Sequence, residues 1–242
     1  MKTAIVTGAS YGIGQAIAEL LLQEGWKVYG LSRSKPKFDN QRFAWLQCDL
    51  SRSKDIQTSV AAIDESKLDA LISNAGVFVE EKASATSQKA YEHTFSVNVL
   101  APMLLVSGLR DKIRHATIIS ISSASDRWPN GDYSLYCSSK AANTMYFNSL
   151  AKDLKTARIY TLCPDYVDTP MIRGDITDPD FKWDEIIQPK DIAKLCDDLI
   201  VGRCDVPSGT NIIVVTEALK DTFVSVEKLY GFNTDTNELT KL

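Results

Sequence analysis

Apolar residues in this 242-residue chain come in short bursts, and the stretches between them repeat with helical spacing. Seven bursts read as strands: Thr3–Thr7 (TAIVT), Trp26–Leu31 (WKVYGL), Arg42–Cys48 (RFAWLQC), Leu68–Ser73 (LDALIS), Ala116–Ile121 (ATIISI), Arg158–Cys163 (RIYTLC) and Asn211–Val215 (NIIVV). Between the first two, Ile13, Ile17, Leu20 and Leu21 fall on one helical face, ending at Gly25. Ser53–Ile63 predicts a second helix with Ser53 as its N-cap. Ser87 to about Arg110 predicts a long helix. From Phe95 to Leu109 it is apolar on nearly every face, which implies burial on two sides, one of them against a partner chain. Ser134–Leu154 predicts another helix. Strand and helix alternate, so the expected fold is α/β: one doubly wound domain over 1–242, a seven-stranded, mostly parallel sheet with helices on both faces. Two stretches interrupt the pattern. Residues 171–189 are polar with Phe181 and Trp183 embedded, and are predicted to form a substrate lid. In the atypical tail, 217–242, Leu219, Phe223, Val226 and Tyr230 suit a helix, whereas TFVSV suits a strand. Its end, NTDTNELTKL, is expected to be a disordered or partner-bound arm.

In a parallel sheet of this kind ligands bind beyond the carboxyl ends of the strands. The loop after the first burst reads TGASYGIG, with glycines at 8, 12 and 14. Glycine permits a sharp turn and a close approach of phosphate to backbone, and the helix that follows presents free N–H groups to an anion. The spacing is neither GxGxxG nor a Walker loop. Asp49, Asn74–Gly76, Ser123 and 164–169 each lie just past a strand and would gather on the same rim. On the helix after the fifth strand, Tyr136 is followed four residues later by Lys140. No other of the nine tyrosines has a lysine at that offset. Residues i and i+4 share a helix face, and a cation beside a phenol brings its proton affinity down towards working pH.

Composition narrows the options. The chain is 44% hydrophobic and 24% charged with a net charge of −4, ordinary for a globular domain, and no basic block invites nucleic acid. MKTAIVTGAS enters a strand at once without the long apolar core of a signal peptide, and no run suits a bilayer. The five cysteines are odd in number and lack metal-ligand spacing. They read as reduced thiols of a cytoplasmic protein with no bound metal. The two histidines, His93 and His115, are isolated, which gives a histidine triad poor support.

Taken in order, these motifs resemble the short-chain dehydrogenases/reductases, over about residues 3–215. TGASYGIG looks like the family's TGxxxGxG loop, Asn74-Ala75-Gly76 like its NAG motif, Tyr136–Lys140 like its YxxxK, and PDYVDT at 164–169 like its PGxVxT. Ser123 lies thirteen residues before Tyr136, the family's spacing, with Ser122 as the neighbouring alternative. Asn98 sits where the family has a helix asparagine. The resemblance implies a Rossmann-type fold and a nicotinamide cofactor. Gly8, Ser10, Tyr11, Gly12, Ile13 and Gly14 would hold it at one end, Ser32, Arg33, Asp49 and Leu50 at the adenosine. Asn74, Ala75, Gly76, Tyr136, Lys140, Pro164, Val167 and Thr169 would hold it towards the nicotinamide. It implies hydride transfer to or from a carbonyl or secondary alcohol, with Tyr136 as proton donor and Ser123 holding the oxygen. Lys140 would lower the tyrosine pKa and grip the ribose, and Asn98 would hold a relay water. Trp128 and Trp183, with Ser123 and Tyr136, would meet a small-molecule substrate, in a pocket to which Phe78 and Met171 add apolar surface.

Arg33 follows the second strand, and no acidic residue occurs between Glu24 and Asp39. A guanidinium there suits a 2′-phosphate, so NADP(H) is preferred, with NAD(H) possible. A homodimer or homotetramer is expected from the apolar Phe95–Leu109 stretch and a stripe of Ala142, Met145, Tyr146 and Leu150. The alternative is a nucleotide sensor or scaffold on the same fold, against which Tyr136 and Lys140 both speak. Three departures stand out: Asp165 after Pro164 and Asp126 after Ser125, where the family often has glycine, and Thr216-Glu217 after the last strand.

Overall fold

A computed structural model describes residues 1–37, 39–217, 230–233 and 238–241. Its centre is a sheet of seven strands, β1 (Thr3–Thr7), β2 (Lys27–Ser32), β3 (Phe43–Gln47), β4 (Ala70–Ser73), β5 (Thr117–Ile121), β6 (Arg158–Pro164) and β7 (Thr210–Val214). The order is β3-β2-β1-β4-β5-β6-β7, and every pairing is parallel. The expectation of a mostly parallel sheet thus becomes a wholly parallel one among these strands. Residues of β1, β4 and β5 are buried throughout, as a strand covered on both faces requires.

Side-chain alternation divides the core in two. Ala4 and Val6 point to one face, against α1 (Gly12–Gln23) and α7 (Pro189–Val201). Ile5 points to the other, against α2 (Ser53–Ala61), α4 (Ala101–Leu109) and α5 (Ser134–Asp153). The helix that alternation demands before β7 is α7. Its Ile192, Ala193, Cys196 and Leu199 are buried, Gly202 closes it at a φ of 80°, and Gln188 and Asp191 form a capping box at its start.

Three expectations are corrected. Ser53 is the first residue of α2, and the cap position belongs to Arg52, which makes no side-chain cap bond. The entry is set by Asp49, whose Oδ1 accepts from the N–H and hydroxyl of Ser51, and by Asp55, which accepts from the Asp49 N–H. The long helix from Ser87 is not continuous. Ser87 caps α3 (Gln88–Phe95), then a π turn over Ser96–Leu100 shifts the register before α4. At the end of the chain, Tyr230–Asn233 (β8) and Glu238–Lys241 (β9) pair antiparallel. The facing backbone groups of the two strands satisfy one another, where an arm would leave them to a partner, and residues 234–237 and 242 lie outside the described residues. Leu219, Phe223 and Val226 lie outside the described residues, as does the choice between helix and strand there. No described helix is long and apolar enough to cross a membrane.

Candidate active site

The strand order reverses direction at β1 and β4, and the crevice past their carboxyl ends is where such sheets bind ligands. The β1–α1 loop is shaped for that role. Gly8 and Gly12 adopt φ of 68° and 61°, a region L side chains avoid. Gly14 serves differently: a Cβ there would lie 2.2 Å from the Gly8 oxygen and 2.5 Å from Asn74 Nδ2. Tyr11, at the N-cap of α1, supplies no side-chain cap, so the first N–H groups remain open to an anion. Asn74 locks the loop to the sheet. Its N–H and that of Ala75 donate to Thr7 Oγ1, and its Nδ2 donates to the Thr7 carbonyl, each at 2.9 Å.

From this loop a cleft of about 1220 Å³, open solvent included, runs along the rim. It is lined by Gly8, Ser10, Tyr11, Gly12 and Ile13, by Ser32, Arg33, Asp49 and Leu50, and by Asn74, Ala75 and Gly76. Ser123, Tyr136, Lys140, Pro164, Val167 and Thr169 complete it. Arg33 is exposed, and no described carboxylate forms an ion pair with it. Burial works against the Asp49 charge, yet hydrogen bonds from Ser51 and the charges of Arg33 and Arg52 hold its carboxyl below the usual range. The Ser32 hydroxyl donates to the Ser34 carbonyl at 2.8 Å and accepts from Trp45 Nε1 at 3.2 Å.

At the far end α5 sets Tyr136 and Lys140 one turn apart on the cleft side. Lys140 is buried, donates to the Ile121 carbonyl at 3.0 Å and sits 5.5 Å from the centre of the Tyr136 ring. Burial lowers its pKa to about 8, against the opposing charges of Cys163 and Asp126. Gly76 lies beside it, and a Cβ there would stand 3.5 Å from Nζ, an ordinary contact distance. Ser123 Oγ accepts from Ser125 N–H at 3.1 Å, capping a 3-10 turn over Ala124–Asp126. The same hydroxyl faces Tyr136 closely enough to hydrogen-bond it. A hydroxyl has one donor and two lone pairs, so both are compatible.

The expectation that Lys140 draws Tyr136 towards neutrality is not met. Burial raises the phenol to about 12, and only the Ser123 bond counters it. The ring is half-buried and keeps an opening to cleft water, which moderates that rise. The tyrosine is a neutral acid at pH 7, and the lysine is largely charged.

Asn98 lies in the π turn beneath this pair, a common place for such turns. Its Nδ2 donates to the Val77 carbonyl and Ser139 Oγ, its Oδ1 accepts from Val77 N–H, and its backbone carbonyl accepts from Asn143. It therefore clamps the Asn74–Val77 loop. Asp126 is enclosed at 2% side-chain exposure. It accepts from Arg127 at 2.6 and 3.0 Å, from Thr144 at 2.7 Å and from Cys163 at 3.3 Å. Thr144 Oγ1 also lies 2.8 Å from the Ser122 hydroxyl, which is 3.2 Å from the Lys140 carbonyl. Ser122 is thus structural, and Ser123 faces the tyrosine.

Trp128 and Trp183 stand outside the cleft lining. The Trp128 carbonyl accepts from Cys137 Sγ, and Trp183 packs under Arg173 at 4.4 Å and against Phe181 at 4.8 Å. Phe78 packs edge-on against Tyr136 at 5.2 Å. Thr169 caps the short helix α6 (Pro170–Arg173). Sequence reasoning missed His93, Val97 and Ile172 as lining residues, and nothing in their spacing marks them. Asp165 also lines the cleft, its carboxyl pushed up by burial. No group of metal-ligating side chains occurs among the described residues.

Residues 2–179 match the family described as short chain dehydrogenase. The chain is 28% identical to benzil reductase ((S)-benzoin forming) of Bacillus subtilis over 71% of its own length and 76% of the relative's. It is 28% identical to mouse 15-hydroxyprostaglandin dehydrogenase [NAD(+)] over 72% and 70%. The solved structure of Thermoplasma acidophilum aldohexose dehydrogenase superposes with a TM-score of 0.82 at 26% identity, over 93% of this chain and 97% of that one.

Proposed function

The chain belongs to the short-chain dehydrogenase family, and on that premise we propose that it is an NADP(H)-dependent oxidoreductase acting on a carbonyl or secondary alcohol, with Tyr136 as proton donor. One observation carries the reading: Tyr136, Ser123 and Lys140 line the same cleft as the glycine loop. The loop fits a dinucleotide, because its turn needs glycine at 8 and 12 and its packing excludes a Cβ at 14. Gly8–Gly14 would hold the pyrophosphate, Arg33 and Asp49 the adenosine, and Lys140, Pro164 and Thr169 the nicotinamide end. Bound there, the cofactor supplies or accepts a hydride.

In reduction the carbonyl oxygen gains negative charge. Ser123 hydrogen-bonds that oxygen and Tyr136 gives it a proton, leaving a phenolate that burial disfavours. The Lys140 ammonium stabilises that phenolate until solvent returns the proton. Asn98 positions Lys140 through the loop it clamps, and its carbonyl keeps a second lone pair for a relay water. The name of the Bacillus relative supports the carbonyl-reductase direction. In this reading the 171–189 segment acts as the lid, and Trp183 and Trp128 meet the substrate at the edge of the cleft. Five cysteines without a disulfide support a cytoplasmic setting, and the protein works as a homo-oligomer.

Cofactor choice rests on Arg33, against the rival example of the NAD-named mouse relative. Charge-assisted hydrogen bonds contribute roughly 1.5–3 kcal/mol, so one or two give on the order of tenfold to ten-thousandfold preference for a 2′-phosphate. Fluorescence titration should find NADPH bound at least about tenfold more tightly than NADH, and Arg33→Ala should erase the difference. Equal affinities in the wild type would remove the NADP assignment.

A further inference from the structure

Beside the reactive tyrosine a chain of aromatic rings runs outward that the cofactor cleft does not use. Phe78 meets Tyr136 edge-on at 5.2 Å, and Tyr133 lies 5.3 Å from Phe78. Tyr166 lies near enough to Tyr133 to contribute, after burial, to holding the Tyr133 phenol above its usual range. Tyr166 lies 6.1 Å from Phe181, and Phe181 lies 4.8 Å from Trp183. These rings come from three separate segments: the loop after β4, the approach to α5, and the stretch after β6. All are partly exposed, Tyr166 at 38%. A ring array anchored at the proton donor and open to water is a surface for another flat ring, because aromatic pairs prefer edge-to-face or offset contacts at such separations.

The charges around it are one-sided. Glu80 and Glu81 follow Phe78, Asp132 precedes Tyr133 and Asp165 precedes Tyr166. Asp175, Asp178, Asp180, Asp184 and Glu185 flank Phe181 and Trp183. Of the nearby cations, Arg173 pairs with Asp168, Lys182 with Glu185 and Arg127 with Asp126, while Lys82 stands beside Glu81, so the carboxylates outnumber the cations. A carboxylate or phosphate on the substrate would meet repulsion here.

Building on the reductase reading above, we propose that the rings of Phe78, Tyr133, Tyr166 and Phe181 form the substrate surface and select uncharged aryl carbonyl compounds. The aryl group lies on this surface while its carbonyl reaches Tyr136 and Ser123. The hydride goes to the carbonyl carbon and the Tyr136 proton to its oxygen, giving a benzylic alcohol.

Three ketones test this: acetophenone, 2-octanone with the same number of heavy atoms, and benzoylformate, an aryl ketone bearing a carboxylate. With NADPH, kcat/KM for acetophenone should exceed both others by about tenfold or more. Phe78→Leu and Tyr166→Leu should each reduce the acetophenone-to-octanone ratio to within about threefold of unity. NADPH affinity reports whether the variants fold, and the wild-type ratio decides on its own if they do not. Equal or faster turnover of 2-octanone or benzoylformate overturns the proposal, as does a ratio that survives both substitutions. Turnover confined to a ketopentose overturns it while leaving the hydride-transfer reading intact. NADPH binding with no carbonyl compound reduced overturns both.

Discussion

Burying an ammonium group is unfavourable, and Lys140 is only 6% exposed. Its pKa falls from 10.5 to about 8, a difference that corresponds to about 3 kcal/mol of lost stability while the group is charged. The unfolded chain holds the proton up to the higher value, so between pH 8 and 10.5 it binds more protons than the native state. The penalty is therefore complete below pH 8 and fades as pH rises to 10.5. Lys140→Met removes it but also removes the bond to the Ile121 carbonyl, worth about 1 kcal/mol. The variant should be inactive yet about 2 kcal/mol more stable than wild type at pH 7, with the gap closing above pH 10. Paired urea titrations at both pH values check this, and a destabilised variant at pH 7 would show that burial does not strain this lysine.

At the scale of elements, the 3-10 turn after Ser123 depends on Asp126, which ties it to Thr144 of α5 and Cys163 of β6. Arg127 keeps 29% of its side chain exposed, so it can recover water when its partner goes. Asp126→Ala should cost about 2–3 kcal/mol, somewhat below the loss expected for a fully buried pair, and should lower kcat by displacing Ser123. Urea unfolding together with steady-state rates measures both, and an unchanged stability would deny the turn its anchor. The elements themselves were largely legible, because a strand covered on both faces must be continuously apolar, as TAIVT and ATIISI are. The glycine loop was legible for the same kind of reason, since only glycine meets its turn and packing demands. The π turn was not. A stretch that is apolar all round, as Phe95–Leu109 is, carries no phase from which a register shift could be read. Ser53 misled because a serine before an apolar repeat is the usual cap signal, and the competing Asp49 turn depends on hydrogen bonds that spacing does not show. The Asp126 network was equally hidden: apart from the adjacent Arg127, its partners lie 18 and 37 residues away, and no local pattern links them.

At the scale of the molecule, the exposed apolar side chains Tyr91, Leu100 and Met145, at 48%, 44% and 65%, all belong to the α3–α5 layer. Self-association would cover them, so light scattering at micromolar protein should give a multiple of the 26.8 kDa chain mass, and the monomer mass would count against it. The same architecture brings the ends of separate strands to one rim. There the glycine loop of β1, Ser123 past β5 and the Tyr136–Lys140 face of α5 share a cleft. The central claim is that this convergence makes Tyr136 the proton donor in a nicotinamide-dependent carbonyl reduction. Tyr136→Phe removes one hydroxyl and keeps the ring against Phe78. The decisive measurement is NADPH oxidation by this variant beside its NADPH dissociation constant. Turnover should fall by about a hundredfold or more, with cofactor affinity within about threefold of wild type. A variant that binds NADPH normally and retains most of its kcat would contradict it.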